Sequence, residues 1–334
     1  MYVRKNATSL SEQEKEALVE GLLALKREGR YDEYVHWHHA AMTPSVFPFE
    51  PRDPNYRNGM HRGPSFLPWH REFLLQVEMD LRAIDSSIAI PYWDWTADSA
   101  MTDPTTSPPI WDEIFLGGNG VKSDDWRVAS GPFAYSKGNW PIPERHDGPA
   151  LRRQFGVWTP TLPTTEDLTL AMSETFYDTP NFNSSPFTIG FRNRLEGWVT
   201  QRGDSRVKTT GSQLHNRVHV WVGGSMLPMT SPNDPVFFLH HCFVDKVWAD
   251  WQALQREDNP DASPHYAPEE DGPAGHNIDD QLKPWERTSR QVLDITQLDY
   301  SYEQPPSQPQ LLEMAARIRP SSPFMAERSP FMAD

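Results

Sequence analysis

The chain has 334 residues, a formal net charge of −15, 37% hydrophobic residues, 32 prolines and one cysteine. This charge argues against binding nucleic acid or an anionic membrane, and favours neutral or cationic small substrates. A single cysteine excludes an internal disulfide framework, and no apolar run is long enough to cross a bilayer. We expect one large core with many proline-fixed loops.

The N-terminal part of the chain predicts two helices. Residues 9–12, Ser-Leu-Ser-Glu, are typical of a capping box ahead of a helix that extends through Leu25. A second helix is predicted from about Asp32, because apolar residues recur there at helical spacing. The residues of this stripe are Tyr31, Tyr34, Val35, His38 and Met42. His38 is therefore expected to point toward the core.

A loop and a third helix follow. Residues 44–68 are rich in proline and glycine, which predicts a loop, and this loop contains His61. A helix is predicted to start near Trp69, with His70 in its first turn. Residues 88–180 predict turns and short segments without a long helix.

Two further helices are predicted in the last third of the chain. His215 and His219 stand at i and i+4 of the first, so that both imidazoles lie on one face. After the turn at 231–235 comes a helix that is apolar nearly all round, which is typical of the centre of a molecule. It carries His240 and His241. Both fall in apolar rows, and periodicity does not resolve which of them is a ligand.

Six of these histidines form two groups of three. They are His38, His61 and His70 in the first part of the chain, and His215, His219 and one of His240 and His241 in the last. Imidazole binds copper, zinc, iron and nickel well, and three neutral imidazoles leave a metal an open position. A lone histidine is more often a core residue than a ligand, but several inward histidines together favour a metal site. Two facing triads predict dioxygen chemistry at paired copper.

Longer motifs point to a known family. Residues 61–73, His-Arg-Gly-Pro-Ser-Phe-Leu-Pro-Trp-His-Arg-Glu-Phe, and 91–95, Pro-Tyr-Trp-Asp-Trp, resemble the first copper region of the tyrosinase family. Residues 215–222, His-Asn-Arg-Val-His-Val-Trp-Val, and 233–248, Asn-Asp-Pro-Val-Phe-Phe-Leu-His-His-Cys-Phe-Val-Asp-Lys-Val-Trp, resemble its second. The resemblance covers roughly residues 30–300, and it is strongest to the compact bacterial members of the actinomycete type.

The resemblance implies a mainly α fold, with a central four-helix bundle holding a dicopper site and little sheet. It implies two copper ions as cofactors, and oxidation by O2 of monophenols and o-diphenols to o-quinones. By this resemblance the first copper is bound by His38, His61 and His70, and the second by His215, His219 and His241.

The resemblance also implies a catalytic base, a water held by Glu196 and Asn216. The alternatives from the residues alone are an ion pair between Glu196 and an arginine, and a capping role for Asn216. The connection 200–213 is longer than in compact bacterial members, and His39 stands where they often have Asn. No thioether crosslink is expected, and Cys242 is expected to pack as a small apolar residue.

We expect two regions, a catalytic domain at 1–302 and a Pro/Ser/Met-rich tail at 303–334. The tail repeats Ser-Pro-Phe-Met-Ala at 322–326 and 329–333, which indicates either a disordered end or a lid over the active site. Residues 1–10 lack a signal-peptide core. The expected location is the cytoplasm, unless a copper-delivery helper protein carries the chain out.

Three alternative functions are compatible with the same histidines. An o-aminophenol oxidase would act on the same vicinal geometry, forming o-quinone imines. An oxygen carrier would use the same dinuclear centre behind an aromatic plug. A zinc hydrolase is disfavoured, because zinc sites usually keep an acidic ligand or a single triad.

Overall fold

The computed structural model describes residues 1–42, 58–99, 109–143, 149–199, 212–258 and 265–303. The predicted tail from 304 onward, most of the long connection 200–213 and most of the loop before His61 lie outside these residues.

The described part of the chain contains eight α-helices. They are α1 Glu12–Arg27, α2 Arg30–Ala41, α3 Phe66–Ile84, α4 Trp95–Ser99, α5 Thr165–Met172, α6 Phe191–Glu196, α7 Leu214–Val222 and α8 Val236–Asp258. Sheet is limited to two pairs of short strands. β1 (Tyr2–Arg4) pairs in parallel with β4 (Tyr300–Tyr302), and β2 (Gly120–Val121) pairs antiparallel with β3 (Arg127–Val128). The predicted mainly α fold with little sheet is confirmed.

The start of α1 differs from the predicted capping box. Ser11 is the N-cap, and its hydroxyl accepts the backbone N–H of Glu14 while the Glu14 carboxylate accepts the N–H of Ser11. The prediction from Ser9 to Glu12 is wrong by two residues. Both positions satisfy the Ser-x-x-Glu spacing, but Ser9 already belongs to a preceding short 3-10 turn that Asn6 caps.

The central bundle is formed by α2, α3, α7 and α8. Helix α3 packs along α8, and α7 also contacts α8. Side chains of α2 reach α3 through the ring contact of Tyr34 with Phe73, and α8 through that of His38 with Phe237. Every residue from 231 to 252 is buried, so the prediction of a central helix in this region is confirmed. Helix α3 begins at Phe66, three residues before the predicted start at Trp69. Pro68 is tolerated because it lies in the first turn, where its missing N–H breaks no helical hydrogen bond.

A buried polar cluster fixes both ends of the described chain to the back of the bundle. Arg4 on β1 forms ion pairs with Glu78 on α3 (2.7 Å) and Asp245 on α8 (3.2 Å). Asp245 also pairs with Arg71 (2.5 Å) and accepts the hydroxyl hydrogen of Tyr302 on β4. Burial alone would raise the pKa of Asp245, but the two guanidinium groups lower it below its ordinary value. The cluster therefore ties β1 and β4 to α3 and α8.

None of the described helices combines the length and the apolar character needed to cross a lipid bilayer.

Candidate metal centre

The first cluster brings together three histidines that the sequence singled out. His38 comes from α2, His70 from the first turns of α3 and His61 from the loop before α3, and all three are buried. Their ligand atoms lie within 4.8 Å of one another. The Nδ1 atoms of His38 and His70 each lie 2.8 Å from a backbone carbonyl oxygen, of Met229 and Phe66 respectively.

The loop that carries His61 is fixed by polar contacts rather than by a helix. The side-chain oxygen of Asn58 accepts the backbone N–H of His61 at 2.9 Å. On the other side, the hydroxyl of Ser65 lies 2.7 Å from Nδ1 of the buried His276. Gly63 packs so closely on that ring that an added Cβ would lie 2.5 Å from it. The loop therefore places an imidazole in the core with little freedom to move.

The second cluster contains four buried or half-buried histidines, His215 and His219 on α7 with His240 and His241 on α8. The Nε2 atom of His215 lies 3.1 Å from Nε2 of His219 and 3.3 Å from Nε2 of His241. The other ring nitrogens of α7 face acceptors, since Nδ1 of His215 lies 3.0 Å from Oδ1 of Asn216 and Nδ1 of His219 lies 2.8 Å from the carbonyl of Met226.

The structure separates the two adjacent histidines of α8 by their surroundings. The ring of His241 stacks on that of His70 in the first cluster, and its Nε2 lies 3.3 Å from Nε2 of His215 in its own cluster. The ring of His240 stacks flat on that of His215, with centroids 5.0 Å apart and planes 15° apart. Both ring nitrogens of His240 are buried without a hydrogen-bond partner among the described residues.

The two clusters face each other directly. The rings of His70 and His241 stack with centroids 4.2 Å apart, and those of His61 and His215 lie 6.0 Å apart. The packing of α3 on α8 accounts for the first contact. Two metal ions bound in these clusters would be immediate neighbours.

The protonation of the imidazoles suits metal binding. Burial lowers the pKa of His70 to about 3 and that of His219 to about 4. Burial also holds the pKa of His38 and His241 well below the ordinary range. These rings are therefore neutral at pH 7. A carbonyl facing Nδ1 assigns the ring proton to that atom and leaves the lone pair on Nε2.

The same assignment leaves buried lone pairs for which the described residues offer no hydrogen-bond donor. Nε2 of His38 and Nε2 of His70 have no hydrogen-bond partner among the described residues. In the second cluster, the Nε2 lone pairs of His215 and His219 lie 3.1 Å apart. Such an arrangement is costly unless a cation lies between the nitrogens. The donor set, all imidazole without thiolate or carboxylate, fits copper.

Glu196 and Asn216 both lie beside His215, but they are held differently. The Glu196 carboxylate accepts the backbone N–H of Arg62 at 2.6 Å and forms a buried ion pair with Arg192 at 2.9 Å. Burial raises the pKa of Glu196 above its ordinary value, although Arg192 opposes the effect. The side-chain nitrogen of Asn216 is buried without a hydrogen-bond partner among the described residues.

A pocket of about 220 Å³ leads to the histidines from the surface. Four cluster histidines reach it, two from each cluster. Its lining residues are His38, Met42, His61, Arg62, Trp198, Ser212, His215, Asn216, His219, Val220, Met226, Leu227, Pro228, Met229 and Ser231. Asn216 borders this pocket, whereas Glu196 lies behind its wall.

A helical core that presents two facing clusters of neutral imidazoles defines a dinuclear metalloprotein with histidine ligands. Comparison with known families gives the particular one. The common central domain of tyrosinase matches residues 28–254, and the chain belongs to the tyrosinase family.

Several relatives are similar over most of their length. A tyrosinase of Streptomyces glaucescens is 46% identical over 298 residues, which cover 89% of this chain and 97% of the relative. A tyrosinase of Streptomyces antibioticus is 45% identical over 88% of this chain and 96% of its own. The grixazone synthase of Streptomyces griseus is 38% identical over 91% of this chain and 100% of its own.

Solved structures share the fold at low sequence identity. A polyphenol oxidase variant from Thermothelomyces thermophila has a TM-score of 0.60 at 20% identity, covering 91% of this chain and 89% of its own. A functional unit of octopus hemocyanin has a TM-score of 0.58 at 20% identity, covering 95% of this chain and 73% of its own. The predicted family, the helical dicopper fold and the two copper ions as cofactor are confirmed by these findings.

Some features of the site were not predicted from the sequence. The anchors of the His61 loop, Asn58 and His276, were missed, although an Asn three residues before a loop histidine is a recognisable turn signal. Arg192 was anticipated only as an unnamed arginine beside Glu196. Cys242 is buried, and its Sγ donates to the carbonyl of Ile90 at 3.2 Å. Burial raises the pKa of this thiol to about 12, which agrees with the expected packing role.

Proposed function

We propose that the chain uses two copper ions and O2 to oxidise monophenols and o-diphenols to o-quinones. His38, His61 and His70 would hold one copper, and His215, His219 and His241 the other. The observation that carries the proposal is the approach of two buried imidazole clusters, whose rings meet at His70 and His241 with centroids 4.2 Å apart.

Two copper ions held by these histidines would supply the two-electron chemistry needed to reduce O2 and the Lewis acidity needed to activate a phenol. Two o-diphenols and one O2 give two o-quinones and two waters, while one monophenol and one O2 give one o-quinone and one water. The chain contributes a dry, pre-organised set of neutral imidazoles. It also contributes a pocket of about 220 Å³, large enough for one aromatic ring, since a cavity of about 150 Å³ accepts benzene.

The monophenol reaction needs a proton acceptor, because a free phenol has a pKa of about 10. We assign this role to a water shared by Glu196 and Asn216. Each carboxylate oxygen of Glu196 already accepts one hydrogen bond, and each retains a further lone pair. The unpartnered Nδ2 of Asn216 is a suitable donor to that water. The water passes the phenol proton to the Glu196 carboxylate.

A substrate panel tests the proposal. The full-length chain is loaded with copper, its metal content is measured, and O2 uptake is followed with tyrosine, L-DOPA and an o-aminophenol. We expect two copper ions per chain and O2 uptake with both phenols. Two bound copper ions without any O2 uptake on phenols would contradict the assignment. Oxidation restricted to the o-aminophenol would favour the alternative function of an o-aminophenol oxidase that forms o-quinone imines.

Copper delivery by a helper protein, and a cytoplasmic or partner-exported location, belong to the same proposal. The support is physical: the imidazoles are buried, and copper must enter through a narrow pocket. Slow, incomplete loading of the copper-free chain by free copper would support a helper. Complete loading within minutes would contradict it. Fractionation of the native cells gives the location.

We also propose that the tail after residue 303 covers the active-site mouth. The support comes from the sequence, in which the Ser-Pro-Phe-Met-Ala unit occurs twice and each copy carries an apolar Phe and an apolar Met. Truncation after Glu303 is expected to raise the rate of o-diphenol oxidation. Unchanged kinetics would discard the idea.

A further inference from the structure

The pocket that leads to the histidines contains one formally charged side chain among its described lining residues, that of Arg62. The other lining residues are methionines, neutral imidazoles and uncharged polar or apolar groups. This local charge is opposite to the formal net charge of −15 of the whole chain. The expectation from composition, that neutral or cationic substrates are favoured, therefore does not describe the pocket itself.

The backbone around Arg62 directs its side chain to the rim of the pocket. Its φ of 63° lies in the left-handed region, which few residues other than glycine adopt. Its neighbours His61 and Gly63 are buried, whereas Arg62 is exposed. The N–H of Arg62 donates to the Glu196 carboxylate, which fixes this turn. The buried Glu196 carboxylate thus fixes the backbone of Arg62, whose side chain is exposed.

The guanidinium group is further oriented by an aromatic ring. Its central carbon lies 4.7 Å from the ring centroid of Trp198, which also lines the pocket. A guanidinium that stacks by its face keeps its N–H edge available for a planar acceptor such as a carboxylate. Among the described residues, no carboxylate forms an ion pair with Arg62. The charge at the rim is therefore ordered and available.

We propose that Arg62 is a specificity-determining residue that binds a carboxylate on the ring substituent of the substrate. The enzyme would then select phenols with a carboxylate-bearing side chain over those with an ammonium group. This inference rests on the proposed phenol oxidation. The ring lies with its hydroxyl toward the buried His61 and His215, and its substituent extends to the exposed rim. The pocket volume of about 220 Å³ suits a ligand of one ring with a short chain.

The test compares three o-diphenols of similar shape and different charge. They are 3-(3,4-dihydroxyphenyl)propionate, 4-ethylcatechol and dopamine, oxidised by the copper-loaded full-length chain. Wild type is expected to prefer the acid to the amine in kcat/KM by about three- to tenfold, since an exposed charge contact contributes modestly. In Arg62→Gln this ratio is expected to fall toward one. The change should appear chiefly in KM and weaken with added salt.

Two variants serve as controls. Lys122→Gln removes the same charge from an exposed turn outside the pocket, and it should leave the wild-type ratio unchanged. Arg62→Lys keeps the charge but loses the planar stack on Trp198, so it should retain a smaller preference for the acid. An Arg62→Gln variant with the wild-type ratio, or a Lys122→Gln variant with the same loss, would overturn the proposal.

A binding measurement separates this inference from the proposed function. Titration calorimetry of 3-(3,4-dihydroxyphenyl)propionate and dopamine into the Cu(I)-loaded chain under nitrogen reports affinity without turnover, because neither O2 nor Cu(II) is present as an oxidant. Tighter binding of the acid by wild type, lost in Arg62→Gln, supports the role of Arg62 even if no catechol is oxidised. Equal affinities for the acid and the amine in wild type overturn it, even if all three catechols are oxidised.

Discussion

The imidazole rings of His70 and His241 stack with centroids 4.2 Å apart and planes 13° apart, and they belong to different clusters. Both rings stand on the two helices that pack together at the centre of the bundle, α3 and α8. The separation of the two metal positions is therefore set by helix packing rather than by loops.

Removing one imidazole from a cluster should empty one metal position. We expect His70→Ala and His241→Ala to reduce bound copper from two ions to about one, with at least a hundredfold loss of affinity at the altered cluster. Copper analysis after dialysis against a weak chelator measures this. His36→Ala, an exposed position on α2 outside both clusters, should keep two. Two tightly bound ions in both cluster variants would remove the ligand assignment.

The adjacent histidines of α8 should respond differently to the same change. His241→Gln is expected to lose one copper, because its Nε2 converges with Nε2 of His215 at 3.3 Å. His240→Gln should retain both ions with an affinity lowered by less than about tenfold, since its ring stacks on His215. Copper titration of both variants decides between them. The reverse pattern would show that the roles of the two histidines are exchanged.

Helical periodicity was the most useful sequence pattern for predicting which side chains face the core. It oriented His38 toward the core, and the structure has His38 buried. It failed at His240 and His241, because α8 is buried on all sides from residue 236 to residue 252 and both rows are apolar. The contact between Arg62 and Glu196 spans 134 residues and depends on a left-handed turn, which no local pattern predicts.

The pairing of β1 with β4 could not be predicted from the sequence either. Each strand has three residues, too few for an alternating pattern, and Tyr2 pairs with Tyr300 at the other end of the described chain. By contrast, the family motifs identified the cofactor, because they extend over both copper regions and keep their order.

The monophenol reaction should depend on the ionised form of Glu196. Glu196→Gln is expected to lower monophenol hydroxylation by about a hundredfold or more, the usual effect of losing a general base, and to affect o-diphenol oxidation much less. Steady-state rates on tyrosine and L-DOPA measure both. Asp178→Asn is the matched control, because Asp178 is the other partner of Arg192 at 2.6 Å. Equal losses on both substrates would indicate a structural role.

The raised pKa of Glu196 predicts that the monophenol reaction depends on pH. Burial raises the pKa of Glu196, so its ionised fraction falls at a milder acidity than that of an exposed glutamate. The ratio of monophenol to o-diphenol turnover should therefore decrease as the pH falls from neutral in wild type. In Glu196→Gln the ratio should be low and flat. A parallel pH profile for both substrates in wild type would contradict the assignment.

A buried ion pair next to α8 should contribute strongly to folding. Arg153 pairs with Asp234 at 2.8 Å, both fully buried, and also donates to the carbonyl of Leu116. Arg153→Met leaves Asp234 as an uncompensated buried charge, so we expect a loss of about 3–5 kcal/mol in the free energy of unfolding. Arg290→Met breaks an exposed pair with Asp279 and should change the stability far less, because solvent screens that pair. Urea unfolding at pH 7 compares the two variants.

The copper-free chain should lose stability in mild acid. Burial lowers the pKa of His70 to about 3 and that of His219 to about 4, whereas both titrate near 6.5 in the unfolded chain. Below pH 6.5 the unfolded chain therefore binds protons that the folded clusters do not accept.

The stabilisation by neutral imidazoles is fully present above pH 6.5 and is lost as the pH falls through the folded pKa values. Thermal unfolding of the copper-free chain should give a nearly constant Tm from pH 7.5 to about pH 6.5 and a falling Tm from there to pH 4.5. The copper-loaded chain should resist the fall until protons displace the metal, because bound copper favours the same neutral imidazoles. A copper-free Tm that does not change over this range would show that the clusters are not held neutral by the fold.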